Sequence, residues 1–295
     1  MTLRSGGVTI IVERKHCVVI LSHGRAGRVT TDKFLRKHGY TGDIWVVVDD
    51  EDPELSSYKE EFGEKVVVFN KRKEQRLTDQ YDNFTQRNTV TYARNASQRI
   101  MRERGFTHML QLDDDYIYFG FRAIQKAAAK TFPAFNLDSV FNSFWDFLDE
   151  SNVKCVAFAQ GGDFIGGINN PQMWGDVKRK AMNSFFIRLD NPVTFQGRMN
   201  DDVNTYIVGG NKGEIFLTNS HFYLRQKQTQ SNDGGLTDMY LSAGTYVKSM
   251  YTVMAQPSSV TVSILGVGDG ARMHHKINWR NTVPKILSKK WKKNA

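Results

Sequence analysis

The sequence contains few of the residues that crosslink or interrupt a fold, with two cysteines, Cys17 and Cys155, and six prolines in 295 residues. Two cysteines, each inside an apolar run, cannot build a disulfide framework, so we expect two reduced, buried thiols. The composition, 40% hydrophobic and 24% charged, excludes a disordered chain, a collagen-like repeat and a coiled coil. A chain of this length can bury a core large enough to need no disulfide or metal crosslink.

Long hydrophobic runs are also missing. Apolar runs such as residues 44–48 and 66–69 have the length of strands, whereas a membrane span needs ~20 apolar residues. The first residues carry no apolar segment of the kind found in signal peptides. These features predict a soluble, cytoplasmic protein without a membrane partner.

Two common nucleotide-binding motifs are absent. The sequence has no Gly-x-x-x-x-Gly-Lys-Ser/Thr loop, and the glycines of residues 22–27 have the wrong spacing for a dinucleotide-binding Gly-x-Gly-x-x-Gly turn. This argues against an NTPase and against a dehydrogenase. If the protein binds phosphates, a metal ion and basic side chains must hold them.

The net charge of +9 is unevenly distributed. Residues 272–295 carry eight basic side chains and no acid, and residues 71–104 carry nine basic side chains against four acids. Residues 43–64 carry nine acids against one lysine. Separate patches of opposite sign predict a polyanionic partner at one surface and a metal at another. For residues 289–293 alone, a solvated tail explains the charge as well as nucleic-acid binding does.

Strand and helix patterns alternate through the first third of the chain. Predicted strands cover residues 16–22, 43–50, 65–69 and 108–112, and predicted helices cover residues 30–38, 56–62 and 90–104. Continuous apolar strands that alternate with helices predict the α/β class, with a mostly parallel sheet flanked by helices. The second half is less regular, with a helix over residues 139–148 and strands over residues 154–158, 184–188 and 214–218. We expect one domain with an elaborated C-terminal half.

Polar residues follow three of the predicted strands, at the edge where ligands bind in such sheets. These residues are Ser22 and Arg25, Asp49 and Asp50, and Asp113, Asp114 and Asp115. Asp113 and Asp115 project to the same side of an extended backbone, so a hard divalent ion can bridge them to a phosphate. An isolated acidic triplet is equally typical of a solvated turn, but the buried strand before it favours a site.

These motifs, together with Ala93-Arg94-Asn95 on the helix before the acidic triplet and Asn200-Asp201-Asp202 further along, resemble those of GT-A glycosyltransferases. The resemblance covers most of the chain and implies a GT-A-like, Rossmann-type sheet. Residues 198–204 and 273–279 resemble the TET-associated glycosyltransferases, which phages use to decorate hydroxymethylated pyrimidines in their own DNA. The implied division is a nucleotide-sugar-binding half over residues 1–116, an acceptor-binding half over residues 117–283 and a basic tail over residues 284–295.

The resemblance implies a role for each matching residue. The residues that it implies for binding the UDP-sugar donor are Ser22, Arg25, Asp49, Asp50, Arg94, Asn95 and Asp114. The implied ligands of Mn²⁺ or Mg²⁺ are Asp113, Asp115 and either His274 or His275. Asp114 between the two aspartates and the paired histidines depart from the family pattern, so which aspartate and which histidine bind stays open. A basic surface beside Lys276 is the alternative interpretation of the histidine pair.

For an inverting enzyme the resemblance implies a carboxylate that takes the proton from the acceptor hydroxyl. Asp202 is the first candidate and Asp201 the second, because an acid at a helix start can be held rigidly near the acceptor. Capping of a helix over residues 203–208 is the competing explanation for both acids.

The implied acceptor is 5-hydroxymethylcytosine in double-stranded phage DNA, in the cytoplasm of the infected host. A base in a duplex must leave the stack to reach the donor, and basic residues 272–295 can hold phosphates while Trp174 or Trp279 holds the base. The alternatives are a GT-A enzyme that acts on a protein or glycan hydroxyl, a catalytically silent DNA-binding module and a nucleotidyltransferase.

Overall fold

The computed structural model describes residues 2–5, 8–11, 13–126, 128–164, 167–171, 179–227, 237–266, 268 and 271–286. The strands in these ranges are β1 (Thr2–Ser5), β2 (Val8–Ile11), β3 (His16–Leu21), β4 (Asp43–Asp49), β5 (Val66–Phe69), β6 (His108–Asp113), β7 (Tyr116–Gln125), β8 (Ala128–Pro133), β9 (Cys155–Ala159), β10 (Ser184–Arg188), β11 (Phe216–Gln226), β12 (Val260–Leu265) and β13 (Arg272–Ile277). The α-helices are α1 (Thr31–Lys37), α2 (Leu55–Phe62), α3 (Lys71–Leu77), α4 (Thr91–Glu103), α5 (Leu137–Glu150), α6 (Asp201–Asn211) and α7 (Thr237–Ala255).

Within the described residues the central sheet has nine strands, in the order β5-β4-β3-β6-β10-β9-β11-β7-β8. Strands β5, β4, β3 and β6 pair in parallel, and β9 pairs in parallel with β11. The remaining neighbours pair antiparallel and come from the second half of the chain. The predicted α/β class is therefore confirmed, with a parallel first half and a mixed, elaborated second half.

Both faces of the sheet are covered, which explains the continuous apolar runs of its strands. In β3, Val18 and Ile20 belong to the core that α5 covers, whereas Cys17 and Val19 belong to the core that α4 and α6 cover. Cys17 and Cys155 are free and buried, as predicted, and burial raises the pKa of both thiols.

Some elements were not predicted. No helix or strand is predicted over residues 70–89, but residues 71–77 form α3. This helix begins where the Asn70 side chain accepts a hydrogen bond from the Lys73 backbone N–H at 2.7 Å. Strands β7 and β8 and helix α7 had no prediction either, and β11 continues eight residues beyond its predicted end at residue 218. Among the described helices, none is both long and apolar enough to cross a membrane.

Strands β12 and β13 form a separate antiparallel hairpin outside the central sheet. The hairpin packs against α7, and Ile277 at its base contacts the core on the α4 side of the sheet. A 3₁₀ turn, Trp279–Thr282, follows it, and the ring of Trp279 stacks on Tyr206 of α6 with a 5.8 Å centroid distance. Trp279 is therefore half-buried and packs against the core, while Trp174 and residues 287–295 lie outside the described residues.

Candidate functional site

The acidic turn after β6 is held by the first turn of α1. The backbone N–H groups of Thr30 and Thr31 donate to the carbonyl of Asp114 at 2.9 and 3.2 Å. The Thr31 hydroxyl donates to the carbonyl of Asp113 at 2.7 Å and accepts from the Tyr116 N–H at 2.9 Å. The turn therefore has a fixed backbone at the carboxyl edge of the parallel strands.

The middle aspartate of the turn fixes the loop after β3. Asp114 is buried, and its carboxylate accepts hydrogen bonds from the Ser22 hydroxyl and from the Arg25 guanidinium, the latter at 2.9 Å. The hydroxyl of Tyr58 on α2 lies 2.6 Å from Ser22 Oγ and accepts from the Arg25 N–H at 2.9 Å. The predicted donor-binding residues Ser22, Arg25 and Asp114 thus lie together and bind one another.

The outer aspartates of the turn are crowded. Burial raises the pKa of Asp113 to about 7, and the carboxylates of Asp115 and Asp114 add to the rise against the opposing charge of Arg94. Burial and the charge of Asp114 also raise the pKa of Asp115, whose Oδ1 accepts from the Gln226 side chain at 3.3 Å. Carboxylates that are costly to ionise side by side fit a hard divalent cation, which favours their ionised form.

A cavity of about 190 Å³ lies between the loop after β3 and the acidic turn. It is lined by Arg25, Gly27, Arg28, Thr30, Asp114, Asp115 and Lys227. Three cationic side chains lie next to two carboxylates. This arrangement suits a phosphate group, because the cations can contact its oxygens directly and the carboxylates can hold a metal ion that contacts them as well.

A second acidic group follows β4. The imidazole Nδ1 of His23 lies 2.7 Å from Asp49 and 3.2 Å from Asp52, and Lys71 Nζ lies 3.1 Å from Asp49. Burial opposes ionisation of Asp49, but hydrogen bonds and charges from His23 and Lys71 outweigh it and hold the pKa of Asp49 below its ordinary value. The Gly24 N–H also donates to Asp52 at 2.9 Å. Asp49 and Asp52 therefore bind groups of the protein itself, and these contacts hold the loop after β3 in place.

Asp50, which was predicted to bind the donor together with Asp49, has different surroundings. Its carboxylate accepts from the Asn70 side chain at 2.5 Å and from the Lys71 backbone N–H at 2.9 Å. Asp50 therefore fastens the start of α3 to the end of β4.

Arg94 on α4 joins the two acidic motifs. Its guanidinium is buried, with Nη2 at 3.3 Å from Asp113 Oδ1 and Nε at 2.7 Å from Asp201 Oδ2. Nη1 donates to the Gln111 side chain at 3.2 Å, and the guanidinium lies 4.7 Å from the ring centroid of Phe185. The acidic turn and the start of α6 therefore belong to one site, although about 90 residues separate them in the sequence.

Asn95, the neighbour predicted to contact the ribose or donor sugar, holds the chain that leads to α6. Its side-chain amide donates to the Phe195 carbonyl at 2.9 Å and accepts from the Phe195 N–H at 3.0 Å. A further contact, at 3.3 Å, joins the amide nitrogen to the Thr78 hydroxyl.

Arg198 anchors the same segment on its other side. The guanidinium of this buried residue binds both carboxylate oxygens of Asp82 at 2.7 and 2.8 Å, the Gln80 side chain at 2.7 Å and the Gln86 carbonyl at 2.5 Å. The Tyr251 hydroxyl of α7 donates to Asp82 at 2.5 Å. One side chain thus holds the loop between α3 and α4 against the residues that precede α6.

The two acids predicted to be catalytic open α6, which begins at Asp201. Asn200 before them has a left-handed backbone with φ of 54°, makes no side-chain cap and donates from its amide to the Lys248 carbonyl at 2.9 Å. Burial and the charge of Asp201 raise the pKa of Asp202 to about 6, against the charges of Arg94 and Lys248. Asp202 is therefore a buried carboxyl group that can gain and lose a proton near neutral pH.

His274 and His275 lie on β13, beside the start of α6. The Nδ1 atom of His275 is 3.4 Å from the Asn200 side-chain nitrogen, and the two imidazole rings are 4.1 Å apart. Burial and the cations nearby lower the pKa of His274, and burial and the adjacent imidazole lower that of His275 to about 4. The hairpin thus brings the imidazole of His275 to the start of α6.

The predicted metal ligands do not form a close group in the described part of the chain. There, the set of three histidine, cysteine or acidic side chains with ligand atoms all within 4.8 Å of one another is His23, Asp49 and Asp52. The assignment of Asp113, Asp115 and a histidine as ligands stays a prediction.

Several residues of the site were missed in the sequence. They are His23, Tyr58, Gln226, Lys227 and Lys248. His23 lies within the polar loop that the strand pattern marked, so its position at a strand end was a usable signal. The other four reach the site through tertiary packing, which no local pattern reports.

The protein is thus of the α/β class. Its candidate site lies at the carboxyl edge of the parallel strands, where aspartates are surrounded by arginine and lysine side chains. The family model described as TET-Associated Glycosyltransferase matches residues 16–235. The chain belongs to this family and is a glycosyltransferase, as the sequence motifs predicted.

Comparison with curated proteins finds no match. The chain is similar to solved structures at low sequence identity. One is glucosyl-3-phosphoglycerate synthase from Mycobacterium tuberculosis in complex with Mg²⁺ and UDP, with 9% identity, 90% of this chain and 88% of that chain covered and a TM-score of 0.46. Another is the mannosyltransferase PcManGT from Pyrobaculum calidifontis in complex with GDP-Man and Mn²⁺, with 12% identity, 82% and 74% covered and a TM-score of 0.45.

Proposed function

We propose that this glycosyltransferase moves a sugar from a UDP-sugar to the hydroxyl of a hydroxymethylated pyrimidine, 5-hydroxymethylcytosine, in double-stranded phage DNA. The observation that carries the proposal is the bridge through Arg94, which joins the acidic turn at Asp113 to the start of α6 at Asp201. A donor group and an acceptor base placed at one site are what direct sugar transfer requires. The proposed location is the cytoplasm of an infected bacterial host.

The donor half of the site is proposed to be the cavity beside the acidic turn. Asp113 and Asp115 would hold Mn²⁺ or Mg²⁺, with His274 or His275 as a further ligand, and Arg25 and Lys227 would contact the diphosphate. A divalent cation bound there would stabilise the negative charge that develops on the leaving diphosphate. The network of Asp49 and its neighbours would hold the loop that contacts the uridine.

Asp202 is proposed as the general base, with Asp201 as the second candidate. In an inverting displacement, the acceptor oxygen forms a bond to the anomeric carbon while the bond from that carbon to the diphosphate oxygen breaks. The hydroxyl proton passes to the Asp202 carboxylate, and the electron pair of the broken bond leaves with UDP. Arg94 pairs with Asp201 at 2.7 Å, while burial and the charge of Asp201 raise the pKa of Asp202 toward the range in which a carboxylate can take a proton.

This role predicts a specific pH dependence. Because the base must be ionised and the pKa of Asp202 is raised to about 6, kcat/KM should fall about tenfold per pH unit below pH 6. The Asp202→Asn variant should lose about 10²- to 10⁴-fold in kcat and should lose that acidic limb. Initial rates of UDP release between pH 5 and 8 test this, with circular dichroism at each pH as the control for folding. An unchanged acidic limb in the variant would assign the proton transfer to another group.

The DNA acceptor is supported by charge as well as by the family. The residues after α7 carry four exposed basic side chains in the described part of the chain, Arg272, Lys276, Arg280 and Lys285. Arg272 and Lys276 lie on the strand that also carries His275, next to the start of α6. A positive surface beside the proposed base suits a phosphate backbone.

Nucleoside mass spectrometry tests the function directly. Duplex DNA that contains 5-hydroxymethylcytosine is incubated with the protein, Mn²⁺ and a mixture of UDP-sugars, with EDTA and unmodified cytosine DNA as controls. We expect a mass gain of one sugar on the modified nucleoside that EDTA abolishes. Release of UDP without a mass gain on the modified nucleoside would indicate that the acceptor is a protein or glycan hydroxyl instead of DNA. DNA binding with neither product would favour a catalytically silent module.

A further inference from the structure

One face of the hairpin β12–β13 is mostly apolar. Side chains on paired strands alternate between faces, so residues two apart share a side. From its base to its tip, this face carries the cross-strand pairs Val260–Ile277, Val262–His275 and Ile264–Met273. The opposite face carries Arg272, His274 and Lys276.

The side chains of this face become more exposed from the base of the hairpin toward its tip. At the base Val260 is 2% exposed, and Ile277 packs against the core. At the tip Ile264 is 69% exposed and Met273 is 42% exposed. Such a contiguous apolar projection is typical of a surface that another molecule covers.

The projection begins at the proposed catalytic site. His275, on the same face, lies 3.4 Å from Asn200, the residue immediately before Asp201 and Asp202. Two residues along a strand span about 7 Å, so Met273 follows His275 by about that distance toward the tip of the hairpin. A molecule that reaches the acids from the hairpin side therefore meets the Ile264–Met273 pair.

The charge around the projection identifies its partner. Residues 260–286 contain a single acid, Asp269, against four basic residues, and all four are exposed. An apolar pair set among cations complements a polyanion that has an apolar interior. Duplex DNA has this character, since stacked bases lie between two phosphate backbones.

We propose that the Ile264–Met273 pair is a wedge that enters the base stack of duplex DNA when the target nucleotide is extruded. The inference rests on the proposed function and extends it to how the acceptor is presented. Isoleucine and methionine are among the side chains that proteins insert between base steps, where an apolar group replaces lost stacking contacts. Arg272 and Lys276, on the opposite face of the hairpin, would hold the adjacent phosphates.

The test uses the full-length chain with Ile264→Thr and Met273→Gln combined, which removes apolar character while both side chains stay compatible with a strand. Glycosylation is compared on a 5-hydroxymethylcytosine duplex and on the same sequence as a single strand, which needs no extrusion. We expect the rate on the duplex to fall about tenfold or more and the single-strand rate to stay within about twofold. Fluorescence of 2-aminopurine beside the target base, which reports unstacking, should rise with the wild type and stay low with the variant.

Leu77→Gln is the matched control, because Leu77 is 64% exposed and lies at the end of α3. It should leave both rates unchanged. If wild type and double variant have the same ratio of duplex to single-strand rate, the wedge is wrong while the proposed function stands. If the wild type modifies neither DNA, the proposed function itself fails. A wild-type dimer that the double variant dissociates in sedimentation would show instead that a second copy covers the pair.

Discussion

Asp115→Asn should reduce turnover by about three orders of magnitude while the protein stays folded. The expected loss follows from the several kcal/mol of leaving-group stabilisation that a divalent ion supplies. Titration calorimetry should show UDP binding in the presence of Mn²⁺ weakened by about tenfold or more. Because burial and Asp114 raise the pKa of Asp115, its ionised form opposes folding at neutral pH. The melting temperature without metal should therefore not fall.

Asp146→Asn is the control for this experiment, since Asp146 lies on α5 with a side chain that is 60% exposed and pairs with Arg14 at the surface. It should change neither turnover nor UDP binding. Normal turnover of Asp115→Asn would remove the metal site from the acidic turn. Lost turnover with unchanged Mn²⁺-dependent UDP binding would assign Asp115 a role other than metal binding.

Arg198→Met should lower the free energy of unfolding by about 3–5 kcal/mol, the usual cost of leaving a buried carboxylate without its cation. The partner, Asp82, would lose its cation and keep two neutral donors, the hydroxyl of Tyr251 and the backbone N–H of Phe84. Because hydrogen bonding and the charge of Arg198 hold the pKa of Asp82 below its ordinary value despite burial, this stabilisation is present at neutral pH. It should disappear as the pH falls through the folded-state pKa of Asp82. Urea unfolding at pH 7 and at pH 3 measures both effects.

Lys33→Met provides the comparison, because Lys33 is 62% exposed and lies 3.8 Å from Glu61. Loss of such a surface pair should change the stability by no more than about 1 kcal/mol. A loss of similar size for the two substitutions would contradict the structural role of Arg198. An Asp82→Asn, Arg198→Met double variant that recovers much of the loss would support it, since no unpaired carboxylate remains.

Sequence patterns predict the parallel half of the fold well because that half is built from local signals. Residues 16–21 and 43–49 form strands within one residue of the predicted ends, and residues 91–103 form the predicted helix. Strands β7 and β8 escaped prediction because they lie toward the edge of the sheet, where exposed residues break the apolar pattern. Helix α3 was missed since five of its seven residues are charged and apolar periodicity is absent.

The sequence predicts many of the residues of the site but not the contacts between them. The strand ends identified Ser22, Arg25 and the acidic turn, and the structure brings them together. The ion pairs of Arg94 with Asp113 and Asp201 could not be read from the sequence, because they depend on the tertiary packing that brings the end of β6 and the start of α6 to one side chain of α4. In the same way, Asn95 is adjacent to Arg94 in the sequence but binds the backbone of Phe195. Neighbours on a helix point in different directions, so a shared motif does not imply a shared role.

If the proposed donor site is right, the attachment of α1 to the acidic turn limits how donor preference can be changed by engineering. Since the amides of Thr30 and Thr31 bind the Asp114 carbonyl, and Asp114 in turn binds Ser22 and Arg25, residues 22–31 and 113–116 form one mechanical unit. A loop grafted from a relative into one segment would meet a mismatched partner in the other. The two segments should therefore be exchanged as a single cassette, and a chimera of either alone should lose the geometry of both.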